Sequence, residues 1–150
     1  MPVIYLETFI EAPIETCFDN ARNIEAHMKS TEETKERAVG GVTTGLMENG
    51  DSVTWEAVHF GIKQRLTAEI TAMHKPDWFI DEMVSGAFQS FVHTHRFEDM
   101  GQVTLMIDQF IYKAPFGVLG SLANVLFLKK YMKVLLEKRA IQLKIMAENS

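Results

Sequence analysis

The sequence predicts an α+β fold in which a curved antiparallel sheet of about seven strands wraps one long C-terminal helix. Three observations carry this. From Gly117 to about Glu148 there is no proline, and apolar residues recur at three-and-four spacing, the period of a helix with one buried face. Between Val42 and Lys113 apolar and polar residues alternate, broken by short turn sequences that can only join antiparallel neighbours. Ahead of both lies a β-branched and aromatic stretch followed by a proline-led helical segment. A curved sheet has to cover its concave face, and only the last helix, about 45 Å long at 1.5 Å per residue, is large enough.

Val3 to Ile10 reads as the first strand and stops at Glu11-Ala12-Pro13. Pro13 suits the first turn of a helix, where its missing N–H costs nothing, and Ile14, Cys17, Phe18 and Ala21 form an apolar face. Cys17 reads as a packed thiol without an activating neighbour. Asn23 to Glu36 holds a second short helix and a loop. Gly40-Gly41 marks a bulge or bend. Asn49-Gly50 is a hairpin turn, expected to join a strand near Val42–Met47 to one near Ser52–Phe60. Lys63 to His74 alternates, with Leu66, Ala68, Ile70 and Ala72 on one face. Lys75-Pro76-Asp77 turns the chain into Trp78–Val84. Two further strands, Phe88–Glu98 and Gln102–Lys113, flank Asp99-Met100-Gly101, and Pro115 ends the last of them. Val118, Leu122, Val125, Met132, Leu136, Leu143 and Met146 make the helix's apolar stripe, interrupted by Lys129 and Arg139.

Composition bounds the function. The chain has 150 residues, 47% hydrophobic and 23% charged, which is one globular domain spanning 1–150. One cysteine forbids an intrachain disulfide and points to a reducing, cytoplasmic setting. The first seven residues lack the basic and apolar regions of a secretory leader, and Val118–Leu128 is too short to span a bilayer. The net charge of −5 argues against nucleic acid. From Lys129 onward six basic residues face two acidic ones, so that segment carries +4 and the rest −9. The simplest reading is charge complementarity within the fold; transient contact with a membrane surface is the sharper one.

Several short words run along the chain in order: Ile10-Glu11-Ala12-Pro13-Ile14-Glu15, His59-Phe60-Gly61-Ile62, Pro76-Asp77-Trp78-Phe79-Ile80-Asp81-Glu82, Gly86-Ala87-Phe88, His93-Thr94-His95-Arg96-Phe97, Thr104-Leu105-Met106-Ile107-Asp108, Tyr112 to Gly120, and Arg139. With them the sequence resembles the START/Bet v 1-like superfamily, and within it bacterial polyketide cyclase/dehydrase-like ligand-binding proteins. The resemblance implies a helix-grip fold with an apolar cavity between sheet and helix, and makes that cavity the functional site. It does not name the ligand, because the superfamily includes lipid carriers, hormone receptors, cyclases and co-chaperones.

His93 and His95 share strand parity with Phe91 and Phe97, and Thr104, Met106, Asp108, Phe110 and Tyr112 share a face on the next strand. A four-residue loop starting at Glu98 would pair His95 with Thr104, His93 with Met106 and Phe91 with Asp108. A three-residue loop would instead set Val103, Leu105 and Ile107 beside the histidines. The family pattern favours Asp108 inward. His-x-His with Asp108 imitates a two-histidine, one-carboxylate metal set, as on a cupin strand. A cupin needs a further histidine downstream and none follows His95, so no metal or other cofactor is expected. His93 with Asp108 could instead act as an acid–base pair in a cyclase or dehydratase, orient a ligand, or simply bridge strands.

The expected ligand-binding set is Trp55, Phe91, His93, His95, Met106, Asp108, Phe110, Tyr112, Met132 and Arg139, with Met83 as a further lining residue. Trp55 shares parity with Val53, Ala57 and His59. Arg139 either pairs with Asp108 or Glu82 or reaches solvent. Val103, Leu105, Ile107 and Ile111 would face water if Asp108 is inward, which motivates a homodimer through this sheet. The function expected is binding or transport of a small hydrophobic or amphipathic molecule of lipid, polyketide or aromatic type, without covalent chemistry. The alternatives are a cyclase/dehydratase using His93 and Asp108, and a co-chaperone-like module with a collapsed cavity.

Overall fold

The computed structural model describes residues 1–114 and 122–150. The chain runs β1 (Val3–Ile10), α1 (Ile14–Ala21), α2 (Ile24–Ser30), a 3-10 turn (Glu32–Thr34), β2 (Arg37–Gly41), β3 (Ser52–His59), β4 (Ile62–His74), β5 (Trp78–Ser85), β6 (Ser90–Asp99), β7 (Thr104–Lys113) and α3 (Leu122–Glu148). Seven antiparallel strands form one sheet in the order β1-β7-β6-β5-β4-β3-β2. The first strand therefore pairs with the last, and α1 and α2 lie in the crossover from one edge to the other. The start of the last helix expected at Gly117, and the strand stop at Pro115, lie outside the described residues.

The helices begin where local chemistry allows. Pro13, with φ −60°, precedes α1, and its carbonyl accepts the first helical bond from Cys17 N–H at 3.1 Å. Ile14, Cys17, Phe18 and Ala21 are all buried, as their spacing predicts. Asn23 caps α2 by accepting from Ala26 N–H at 2.8 Å. Along α3 the inward residues are Leu136, Arg139, Ala140, Leu143 and Ala147, with Met132 half-buried beside them. This face packs on α1, α2 and β1. Lys138 ties it further by an ion pair to Glu33 at 2.7 Å, a piece of the charge complementarity the sequence suggests.

Four expectations need correction. The strand beside β3 is Arg37–Gly41, not Val42–Met47. Asn49-Gly50 does turn, closed by Asp51 N–H to Glu48 O at 3.0 Å and by the Asp51 carboxylate on Glu48 N–H at 2.8 Å. The turn ends a long loop rather than a two-residue hairpin, because Met47 N–H bonds Arg22 O and Leu46 bridges to Asn23. In β4, Ala72 leaves the inner face: a bulge at Thr71 sets Ala72 opposite Ile80 and Met73 opposite Phe79, so Met73 packs on the core. The β6–β7 loop lies two residues later than a loop starting at Glu98. Asp99 pairs with Thr104 and Met100 N–H bonds Val103 O, which sets Phe97 on Met106, His95 on Asp108, His93 on Phe110 and Phe91 on Tyr112. The slide preserves parity, so the inward face is as expected.

The fourth correction concerns the convex side of β7. Leu105 and Ile107 are 7% and 5% exposed. Lying one strand in from the edge, they are flanked by Phe9 and Glu7 of β1 and by Glu98 and Arg96 of β6. Their burial removes the stated motive for a homodimer; exposed apolar groups on that side include Val3, Tyr5 and Phe9 of edge strand β1.

Gly40-Gly41 is a bulge, as expected, with the register shifting between Ala38 and Gly40. Gly41 has φ +68°, and a Cβ there would stand 2.3 Å from Ser52 O. Gly50, at φ +89°, has open space around it. Gly41→Ala is therefore expected to destabilise the protein by about 3 kcal/mol or more, against about 1 kcal/mol for Gly50→Ala. Urea unfolding of the two variants checks the difference, and equal losses would count against the close approach at Ser52.

Candidate functional site

The buried apolar residues fall into two clusters. One gathers α1, α2 and the Phe18, Phe79, Phe97 and Met106 side chains; the other joins Ile4, Phe91, Phe110 and Tyr112 to Leu136. Between them α3 stands away from the concave sheet, leaving a cavity of about 410 Å³. Its walls are largely aromatic and aliphatic, among them Trp55, Phe79, Phe91, Phe110, Met132 and Leu136. This size and character are those of small-molecule sites generally.

A buried polar set interrupts the apolar lining on β5 and β6, backed by β7. Alternation along β6 aims His93 and His95 inward, Asp81 lies opposite His93 on β5, and Asp108 lies opposite His95 on β7. The two imidazoles stack 3.7 Å apart, Phe79 stacks on His95 at 4.1 Å, and Phe110 meets His93 edge-on at 5.4 Å. Each ring lies between two carboxylates. Behind, Asp108 Oδ1 is 2.9 Å from His93 Nε2 and 3.5 Å from His95 Nδ1. In front, Asp81 Oδ1 is 3.4 Å from His95 Nε2 and 3.9 Å from His93 Nδ1. Asp108 is 1% exposed and does not line the cavity, whereas Asp81 does and keeps 25% of its side chain accessible.

Arg139 reaches this set from α3. Its Nη1 is 3.6 Å from Asp108 Oδ1, and Nη2 donates to Ala21 O at 3.3 Å. Burial works to raise the Asp108 carboxyl, but the His93 hydrogen bond and the fields of His93, Arg139 and His95 outweigh it and hold it well below the usual carboxylate range. Asp81 is lowered in the same way, burial being overcome chiefly by His95. Burial, reinforced by His93, pushes His95 down to about 4 against the pull of Asp81. Two buried atoms here, Asp108 Oδ2 and Arg139 Nη1, have no hydrogen-bond partner among the described residues.

A second polar group lies along the same cavity. His27 of α2 stacks on Trp55 at 4.1 Å and places Nε2 2.8 Å from Glu36 Oε1. His59 Nδ1 is 2.8 Å from the Tyr131 hydroxyl. All four of His27, Glu36, His59 and Tyr131 line the cavity. Burial would raise Glu36, but His27 more than offsets it and leaves the carboxyl below its ordinary value.

Of the residues expected from sequence, Trp55, Phe91, His93, His95, Phe110, Met132 and Arg139 line the cavity. Asp108 supports the histidines from behind. Met106 and Tyr112 are corrected. The register seats Met106 opposite Phe97 in the first apolar cluster, and Tyr112 opposite Phe91 beneath Phe88, with its hydroxyl buried and without a partner among the described residues. Arg139 joins Asp108; Glu82 alternates with Asp81 and Met83 and points away. Sequence reasoning did not single out Asp81, although its parity with Phe79 signals an inward carboxylate. His27, Glu36 and Tyr131 carry no such local signal, since three separate elements bring them together.

No family model matches the chain, and no curated protein matches it either. Solved structures do. A START superfamily protein from Mycobacterium smegmatis is 15% identical, with 98% of this chain and 97% of that one covered, at a TM-score of 0.76. A protein from Thermus thermophilus is 19% identical over 97% and 99%, with a TM-score of 0.74. Ginseng major latex-like protein 151 from Panax ginseng is 15% identical over 97% of each chain, with a TM-score of 0.66. The chain thus has the START/Bet v 1-like helix-grip fold. Among the described residues no helix is long and apolar enough to cross a membrane.

Two predictions follow from the polar set. The unfolded chain binds a proton at His95 near the ordinary value of 6.5, the folded chain only near 4. Stability is fully present above pH 6.5 and falls as the pH drops through that window, by roughly 3 kcal/mol for this group, with Asp108 extending the loss below it. Urea unfolding in chelator-containing buffer should show the fall, and His95→Gln should flatten it. Tyr112→Phe removes a buried hydroxyl that has no partner among the described residues and should leave stability equal or about 1 kcal/mol higher; a clear loss would mean that hydroxyl has a partner.

Proposed function

We propose that the chain, as a single domain, holds a small amphipathic molecule in this cavity by non-covalent contact, in a cytoplasmic setting. The observation carrying the reading is the 410 Å³ cavity, whose largely aromatic and aliphatic walls carry two clusters of interacting polar side chains. Apolar burial at about 25 cal/mol per Å² supplies the affinity, and the polar groups fix orientation. A guest of lipid, polyketide or aromatic type has the required mix. The cavity weighs against the co-chaperone-like alternative, which needs it collapsed.

The charges narrow the polar end of the guest. Asp81, Asp108 and Glu36 act on one guanidinium, Arg139, whose field reaches all three. A guest carboxylate would add a fourth negative charge in a poorly solvated place, whereas a neutral hydroxyl or phenol can donate to Asp81.

The His93–Asp108 contact supports a second reading. Asp108 orients the imidazole and leaves Nδ1 facing the cavity, an arrangement suited to moving a proton in a cyclisation or dehydration. An enzyme of that kind loses turnover in His93→Ala and Asp108→Asn while keeping most of its affinity.

Binding is tested with 2-naphthol and 2-naphthoate, followed by calorimetry. The naphthol should bind one per chain and more tightly than the naphthoate. Ala68→Phe, which projects a ring into the cavity from β4, should weaken it about tenfold or more, with the melting temperature little changed. No binding, or binding indifferent to Ala68→Phe, would overturn the cavity as the site.

A further inference from the structure

We propose that Asp81, His93 and His95 form a site for a first-row divalent transition-metal ion on the cavity wall. Their ligand atoms all lie within 4.8 Å of one another. Asp81 Oδ1 faces His95 Nε2 at 3.4 Å and His93 Nδ1 at 3.9 Å. A tetrahedral ion with bonds of about 2.0–2.1 Å separates its donors by about 3.3 Å. The first distance already fits, the second needs a closure of about 0.6 Å, within reach of an aspartate that is not itself fully buried, and the two imidazole donors, within 4.8 Å of each other, close by turning their rings.

The surroundings match what such a site requires. A histidine binds a metal through one neutral nitrogen, and the other nitrogen is fixed by a hydrogen-bond acceptor behind it. Asp108 Oδ1 occupies that rear position for both rings, at 2.9 Å from His93 Nε2 and 3.5 Å from His95 Nδ1. His93 Nε2 meets Asp108 and leaves Nδ1 forward, whereas His95 Nε2 donates to Asp81 in the metal-free chain, so an ion there takes that proton's place and leaves the imidazole proton on Nδ1, beside Asp108. Two imidazoles and one carboxylate suit zinc, iron, cobalt or nickel rather than magnesium or calcium. The remaining coordination positions open on the cavity, where a water or a guest's oxygen completes the shell. The absence of a third histidine, the reason a metal was not expected from sequence, loses its force once Asp81 supplies the third donor. The site stands independently of the organic guest, since the donors converge whether or not the cavity is filled.

The test uses the full chain, stripped with chelator, titrated with Co²⁺ by its visible ligand-field bands and with Zn²⁺ by competition. One ion per chain should bind, with a dissociation constant of about a micromolar or tighter. Asp108→Asn should weaken it roughly 10–100-fold as an outer partner, and Asp81→Asn or His95→Gln by more. His74→Ala, removing the exposed His74–Asp77 pair, should change nothing. Where a buried substitution unfolds the chain, imidazole nitrogen NMR of the unaltered protein decides the matter. Zn²⁺ should move His93 Nδ1 and His95 Nε2 and leave His27 and His74 in place. Absence of saturable binding, binding that survives Asp81→Asn and His95→Gln, or shifts confined to other histidines would overturn the proposal.

Discussion

The fold turns on a carboxylate buried against its own sheet. Asp108 is 1% exposed and ionised, and a charge in that position is tolerable only with opposite charge and hydrogen-bond donors around it. The partners come from separate places: His93 and His95 from the neighbouring strand, Arg139 from the terminal helix. Asp108 thereby couples β6–β7 register to the rotation of α3. A slip of one residue between the strands would turn the carboxylate to the convex face and strand Arg139 in an apolar interior. Removing one member of such a buried set generally costs about 3–5 kcal/mol, because the remainder is left uncompensated.

The same polar set explains how a cavity persists in a chain so rich in soft side chains. Two apolar clusters close either end of the grip, one around Phe18 and one around Phe91 and Tyr112. Between them the wall is built from groups that gain nothing from being driven into hydrocarbon. Asp81 and the forward nitrogens of the histidines keep their polar atoms toward open space. Collapse of α3 onto this stretch would desolvate them without supplying partners, so the helix stops where Arg139 meets Asp108 and Ala21. The hollow is the consequence of polar groups that the core cannot absorb.

The architecture was legible because it rests on periodicity. Strand parity placed His93, His95 and Asp108 on one face, and the helical stripe placed Arg139 among Leu136 and Leu143. The loop geometry was not legible to the same degree. Asn49-Gly50 is a turn in sequence and in structure, yet long-range bonds from Arg22 to Met47 decide which segment pairs with β3. Parity alone could not tell Ala72 from Met73 either, since a bulge shifts the alternation by one residue. Within the site, Asp81 was readable from its alternation with Phe79. The His27–Glu36 and His59–Tyr131 pairs were not, because each joins residues whose proximity exists only in the folded chain.

The two histidines serve different ends of one device. His93 makes the shorter bond to Asp108, and its ring is held between His95 and the edge of Phe110. Its position is therefore set by Asp108 behind the wall and by the neighbouring rings within it. His95 lies between the rings of His93 and Phe79 and makes its hydrogen bond forward, to Asp81. Its burial at low proton affinity keeps the imidazole neutral at physiological pH, and the nitrogen toward the ionised Asp81 carries the one proton and donates it. Asp81 is the member of the set with freedom to move, being accessible from the cavity and bonded at the long end of hydrogen-bond range. Whatever enters the cavity meets a rigid pair of imidazoles and one adjustable carboxylate. A rigid floor with one mobile acceptor orients a guest at little entropic cost, and the same division of labour is what a metal ion demands of its ligands.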